Sequence, residues 1–351
     1  MKKLDSIHID FSPIDGREKA LNAVMCSRHD GKTTTFLVKK FWPAWKKNAC
    51  PLVLIFRNVN DVKPATVEYY ANLLNEFLEE PVKLKYSEAQ FRNGTATAYV
   101  DKKPFFHLVA LNQKETSLKK IAFPNVKYVL FDELEVNPKS GEKYLKNEYG
   151  KFQAYFDTQL KITPKAKFYG LTNPYSLVNP YFRAWGVDTR SLKLDTIQTG
   201  ANWAVWYKRL NPLLAEKIKA EDPLFSEEGE YSKMAFLGLP ANDLNNHVEP
   251  MRGAYRLHLL FVHDGVKYGV YKTADPLDYA RPYYYVKEEK DHSERRMSFA
   301  FSFDDLIENS LIASKRDRDD FAHFKMAMRK QDVAFDKIET ESAFQTIFDY
   351  L

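Results

Sequence analysis

Ala23-Val24-Met25-Cys26-Ser27-Arg28-His29-Asp30-Gly31-Lys32-Thr33-Thr34 decides how this chain is read. An apolar strand-like stretch, Asn22 to Cys26, runs into Gly-Lys-Thr-Thr, and a helical spacing of apolar residues follows at 37, 41 and 45, with Pro43 expected to bend the end. In a phosphate loop, successive backbone N–H groups surround phosphate oxygens and the following helix N-terminus adds its positive end. Gly31 permits the close backbone approach. Lys32 is placed to reach the β- and γ-phosphates and Thr33 to hold magnesium. The loop as a whole is Ser27, Arg28, His29, Asp30, Gly31, Lys32, Thr33 and Thr34, with Cys26 where the usual pattern has its first glycine.

A hundred residues on, Tyr128-Val129-Leu130 leads into Phe131-Asp132-Glu133. An apolar strand that ends in two acids suits the other half of an ATP site, Asp132 binding magnesium and Glu133 polarising the attacking water. Glu135 is expected to be a solvated charge. Lys167 to Leu171 is a further strand, and Asn173 behind it is a candidate sensor of the γ-phosphate.

Between these motifs strand-like and helix-like segments alternate. Leu52 to Phe56 is a continuous apolar run; Val67, Tyr70, Leu74 and Phe77 mark a helix; residues 96–111 form a hairpin turning at Asp101-Lys102-Lys103; Leu145, Tyr149, Phe152, Phe156 and Leu160 line another helix. This alternation predicts an α/β, doubly wound, mostly parallel sheet, with ligands beyond the carboxyl ends of its strands. Residues 201–250 read as a helix-prone, acidic linker carrying Pro212, Pro223 and Pro240. From about 251 to 351 a smaller α+β domain is expected: a hairpin across Asp264-Gly265, strands at 283–286 and 297–303, and helical patterns at 304–315, 318–330 and 341–349.

The 351 residues suit two domains, and the 44% apolar content suits globular ones. There is no apolar signal core at the start and no run approaching the roughly 18 apolar residues of a membrane span. Cys26 and Cys50 fit a reducing cytosol, and the net charge of +5 permits a polyanionic partner.

Several stretches resemble the DNA packaging ATPases of phi29-like tailed phages. These are Ala122-Phe123-Pro124-Asn125-Val126 leading into Phe131-Asp132-Glu133, Leu171-Thr172-Asn173 leading into Val178-Asn179-Pro180-Tyr181-Phe182, Arg28 in the loop, and Asp304-Asp305-Leu306 with Glu308-Asn309. The resemblance implies a RecA-like P-loop motor domain over residues 1–200 and a carboxyl-terminal domain like an RNase H nuclease that has lost its chemistry. It implies a homomeric, pentameric ring using ATP and Mg2+ to drive double-stranded DNA into a procapsid. The resemblance also implies the portal and prohead RNA as partners, and as place of action the host cytoplasm and, transiently, the portal vertex, with the protein absent from the mature virion. By position it implies that Lys161, and Lys119 or its neighbour Lys120, act on a neighbour's ATP, that Arg57 restrains Glu133, and that Lys63 grips DNA. The strand Arg256 to Val262 carries no acid, which argues against a two-metal nuclease; Asp304 and Asp305 look like a helix N-cap. The basic runs at 315–318 and 325–330 are candidates for DNA or RNA contact, or solvated helix faces. A small-molecule kinase and a non-hydrolysing structural ring are the competing readings.

Overall fold

The computed structural model describes residues 8–27, 30–136, 144–175, 179–187, 192–221, 250–263, 265–274, 283–289, 297–300, 305–312, 321–329, 333–337, 340–341 and 343–344. The chain divides into two compact units, Met1–Asn242 and Asp243–Leu351.

In the first unit a short helix α1 (Ser12–Asp15) precedes strand β1 (Leu21–Cys26). The helical run predicted after the phosphate loop is broken into α2 (Lys32–Thr35), a π-helical stretch (Phe36–Phe41) and α3 (Trp42–Asn48). Pro43 has no N–H to donate and its ring crowds the carbonyl four residues back. Widening the preceding turns to π geometry absorbs both problems while keeping Phe36, Leu37, Val38 and Phe41 buried. There follow β2 (Leu52–Phe56), α4 (Pro64–Asn75), β3 (Thr95–Val100), β4 (Lys103–Ala110), α5 (Glu115–Leu118), β5 (Tyr128–Asp132), α6 (Glu148–Ile162), β6 (Lys167–Thr172), α7 (Pro180–Trp185), β7 (Thr196–Thr199), β8 (Trp203–Lys208) and α8 (Pro212–Glu221).

The strands form one eight-stranded sheet in the order β3-β4-β2-β5-β6-β1-β8-β7. All neighbours from β4 to β8 pair in parallel, and β3 and β7 close the two edges antiparallel. The β3–β4 hairpin turns through Asp101 at φ 49° and Lys102 at φ 65°, two left-handed residues as a type I′ turn requires. Because the central strands are covered on both faces, alternate residues feed two cores. Val24, Leu54, Leu130 and Leu171 pack with the π-helical stretch and α4, while Ala23, Val53, Val129 and Phe168 pack with α6 and α7.

One boundary of the predicted linker is corrected. Trp203–Lys208 is not connecting chain but a strand inside the sheet, paired in parallel along the whole of β1 from Leu21↔Trp203 to Cys26↔Lys208. Its alternating apolar residues fill both cores. The proline-rich part of that linker, residues 222–249, lies outside the described residues.

The second unit is an α+β fold with a six-stranded sheet, ordered β13-β12-β9-β10-β11-β14. Its elements are β9 (Tyr255–His263), β10 (Val266–Thr273), β11 (Tyr284–Glu288), β12 (Ser298–Ala300), β13 (Ser310–Ile312), α9 (Ala322–Arg329) and β14 (Val333–Phe335). The helix predicted at 304–315 is not formed over its described part, since Ser310–Ile312 pairs in parallel with β12, with Asn309 turning the chain at φ 60°. Asp305 accordingly caps no helix; it is buried beside His263, with Nδ1 3.5 Å from Oδ2. Asp264, Asp304 and the basic run at 315–318 fall outside the described residues. Phe261, Phe321, Phe324 and Phe344 meet as an aromatic core. Among the described residues no helix is long and apolar enough to cross a membrane.

Val205 is fully buried within the β8 strand. Val205→Asp leaves a charge in the core without a partner and is expected to cost about 3–5 kcal/mol in urea unfolding, against less than about 0.5 kcal/mol for a residue of an exposed connector.

Candidate functional site

β6 lies between β1 and β5 in the sheet, so the loops that leave these three strands emerge side by side at one edge. The motifs separated in sequence therefore converge. Lys32, although charged, is 7% exposed, and its ammonium donates to the carbonyls of Cys26 at 3.0 Å and Ser27 at 2.9 Å and to Oδ1 of Asn173 at 2.9 Å. Thr33 Oγ1 is 2.9 Å from both carboxylate oxygens of Asp132. Burial pushes the Asp132 carboxyl above its usual range, opposed by the Thr33 hydroxyl and the nearby Lys32 charge.

The phosphate loop is held from both sides. Gly31 sits in the left-handed region at φ 68°, and a Cβ there would meet His8 Nδ1 at 2.9 Å, so both backbone and space require glycine. Asp30 is fully buried, and its Oδ2 accepts from Lys208 Nζ at 2.7 Å; burial pushes its carboxyl up and the Lys208 charge opposes this. The amide of Ile9 donates to the Asp30 carbonyl at 3.2 Å. Cys26 is the last residue of β1. Its thiol lies wholly in the core, where burial raises its pKa, so it acts as a small apolar filler on a strand and not as part of the loop's turn. Thr34 is half-buried on α2, and Arg28 and His29 lie outside the described residues.

At the end of β5 the chain turns sharply. Glu133 is exposed and takes φ 80°, and the amides of Glu133 and Leu134 both donate to the Leu171 carbonyl at 2.9 Å. Arg57 reaches this turn through the main chain. Its guanidinium donates to the carbonyl of Glu133 at 2.7 Å and to that of Leu134, lies over the Phe131 and Tyr144 rings, and pairs with the buried Glu148 at 3.1 Å. Glu148 also accepts from the Leu145 amide and the Tyr181 hydroxyl, both at 2.9 Å. Glu135 is not a solvated charge. It is 2% exposed and accepts from the Tyr175 amide at 3.2 Å and Asn179 Nδ2 at 2.8 Å, while Asn179 Oδ1 caps α7 through the amides of Tyr181 and Phe182.

The family model of the podovirus DNA encapsidation protein (Gp16) matches residues 5–350. The chain belongs to that family. Its function is phage genome packaging. Among solved structures this encapsidation-family chain is similar to the Phi-28 gp11 DNA packaging motor, at TM-score 0.64 and 15% identity over 99% of this chain and 98% of that one. It is likewise similar to the bacteriophage Phi-29 viral genome packaging motor assembly, at TM-score 0.63 and 17% identity over 98% and 99%. These likenesses establish a shared fold, which in the first unit is the mostly parallel eight-stranded α/β sheet. No curated protein matches the chain.

Three basic residues carried over from the encapsidation family stand outside this cluster. Lys161 is exposed on the last turn of α6, which runs back to the start of β6 at the sheet edge opposite the phosphate loop. Lys119 is exposed, pairs with Glu115 at 2.7 Å, and its carbonyl accepts from Thr158 on α6 at 3.3 Å. Lys63 is exposed at the N-cap of α4. Two site residues escaped the sequence reading. Tyr70 donates its hydroxyl to Asp132 Oδ2 at 3.2 Å, and Lys208 holds Asp30. Nothing in the sequence distinguishes Tyr70 from an ordinary apolar marker of its helix, whereas the continuous apolar run Trp203 to Tyr207 is a strand signal inside an assumed linker.

Removing one member of a buried ion pair strands the other. Glu148→Ala is expected to lower stability by about 3–5 kcal/mol, and Glu148→Leu with Arg57→Met to recover most of that loss; chemical denaturation of the two variants beside wild type checks this.

Proposed function

We propose that this chain is the ATP-hydrolysing subunit of a ring, pentameric in the implied assembly, that drives double-stranded DNA into a procapsid at its portal vertex. The observation that carries the reading is the convergence of Lys32, Thr33, Asp132, Glu133 and Asn173 at one sheet edge, on three neighbouring strands. An ammonium resting on two carbonyls and an amide oxygen is a cation poised at the loop's rim, and phosphate oxygens are stronger partners for it than those neutral acceptors. A hydroxyl and a carboxylate 2.9 Å apart form a hard-oxygen pair of the kind that suits Mg2+. When bound, the magnesium would neutralise charge on the β- and γ-phosphates.

Each residue then has a task. Lys32 and the loop amides bind the phosphates, and Thr33 with Asp132 would hold the metal. Glu133 orients and polarises water; the left-handed backbone at φ 80° and the Arg57 clamp on its carbonyl fix where its carboxylate starts. Asn173 touches Lys32 and so is placed to respond when that ammonium moves to phosphate. Lys161 and Lys119, at a distance from their own subunit's loop, are assigned to a neighbour's ATP across the ring. Lys63 is assigned to the phosphate backbone of DNA, contact with which suits a motor that moves over any sequence.

The carboxyl-terminal unit, assigned to residues 251–351, is taken to dock and not to cut. β9 carries no acid, and the nearby Asp305 is buried against His263. That unit is assigned to DNA and procapsid docking; portal and prohead RNA are assigned as partners of the whole chain, and the portal vertex in the host cytoplasm as its transient site.

Steady-state ATPase measured with and without duplex DNA of arbitrary sequence tests the reading. Wild type should hydrolyse ATP with Mg2+ and accelerate with DNA. Glu133→Gln should lose about 10²–10⁴-fold in kcat while still binding ATP, and Lys32→Ala should lose binding itself. Hydrolysis indifferent to DNA, or surviving Glu133→Gln, overturns it.

A further inference from the structure

Asp132 is met by two hydroxyls from different elements. Thr33 Oγ1 lies 2.9 Å from each carboxylate oxygen, and Tyr70 donates to Oδ2 at 3.2 Å. The Tyr70 ring is 5% exposed and is set by edge contacts to Phe56 at 6.3 Å and Phe106 at 6.5 Å, residues of β2 and β4. It rises from the buried face of α4, beside Val67, Ala71 and Leu74. The phenol is therefore not a mobile surface group that happens to reach Asp132. Its position is fixed by a packed helix and two strands, and it has one proton to give.

The two hydroxyls differ in what a cation would ask of them. Thr33 is a ligand candidate. Its oxygen can offer a lone pair to a metal while its proton stays directed at Asp132, so it would touch the cation directly. Tyr70 sits behind the carboxylate, on a helix that does not carry the phosphate loop, and can keep donating. Its hydrogen bond also ties down Oδ2, leaving Oδ1 as the oxygen clear of the phenol. We infer that Tyr70 is a positioning residue for the cation site, holding the Asp132 carboxylate in one orientation by a hydrogen bond from behind. The inference rests on the reading of Thr33 and Asp132 as metal-holding residues. Outer-shell donors of this kind are worth about 10–100-fold in metal affinity.

Tyr70→Phe keeps the packed ring and deletes only the hydroxyl. Mn2+ alone is used as the probe, its binding to the full chain in the presence of ADP followed by electron paramagnetic resonance, with wild type, Tyr70→Phe and Asp132→Asn compared. The expected result is wild-type binding, loss of binding in Asp132→Asn, and a weakening of about 10-fold or more in Tyr70→Phe. In steady-state turnover, half-saturating Mg2+ should rise by the same factor in Tyr70→Phe, with kcat at saturating Mg2+ within about 2-fold of wild type. That split separates positioning of the metal site from general damage, which would lower kcat at every Mg2+ concentration. Equal Mn2+ affinity in wild type and Tyr70→Phe overturns the inference and leaves the site reading intact. Equal affinity in wild type and Asp132→Asn overturns the site reading, and the inference with it.

Discussion

A guanidinium cannot be buried alone, and the placement of Arg57 organises the corner of the molecule where the acidic motif ends. The charge is matched by Glu148 at the start of α6, and the remaining donors are spent on two carbonyls of the turn that follows β5. Glu148 is itself completed by Tyr181 from α7. Four segments distant in sequence thus share one network, and satisfying Arg57 forces the chain at Glu133 into a backbone shape that an ordinary residue adopts reluctantly. The cost of that shape is carried by the network, which is why an acidic side chain can stand exposed on a left-handed residue at the end of a buried strand.

The phosphate loop is built on the same principle with a different ion pair. Asp30 is wholly buried, and Lys208 comes to it from the end of β8. This makes the eighth strand more than an extension of the sheet: it supplies the counter-charge that lets the loop keep an aspartate inside. His8 against Gly31 and Ile9 against Asp30 add a second support from the amino-terminal side. Asp30 and Gly31, clamped by two elements, are already placed before phosphate arrives, and less of the binding free energy goes into ordering them.

What could be read from the sequence follows the range of the interactions. The phosphate loop, the acidic strand end and the parallel alternation are local patterns, and β1, β5 and β6 stand where those patterns put them. Elements whose identity depends on distant pairing were misread. Trp203–Lys208 carries a strand-like apolar run, but it precedes acidic, proline-rich chain, and it is the pairing with β1 that places it inside the sheet. Ser310–Ile312 has apolar residues at helical spacing around it and becomes a strand because β12 offers it partners. Glu135 and Tyr70 failed for a further reason. Single residues do not announce which buried group they will meet, and a carboxylate flanked by Val136 and Leu134 looks solvated until Asn179 and Tyr175 are brought to it from beyond the next strand.

The two antiparallel edge strands have a consequence for how copies of the chain can meet. On one side β3 is overlaid by the Lys85–Tyr99 bridge and by the Gln90 side chain, which accepts from the Thr97 amide. On the other, β7 is four residues long and mostly polar. Short, blunted margins of this kind give another copy little backbone on which to continue the ladder. In the proposed ring this sheet would therefore favour joints through side chains, which can pivot without tearing a row of amide bonds, over a sheet running unbroken from one copy to the next.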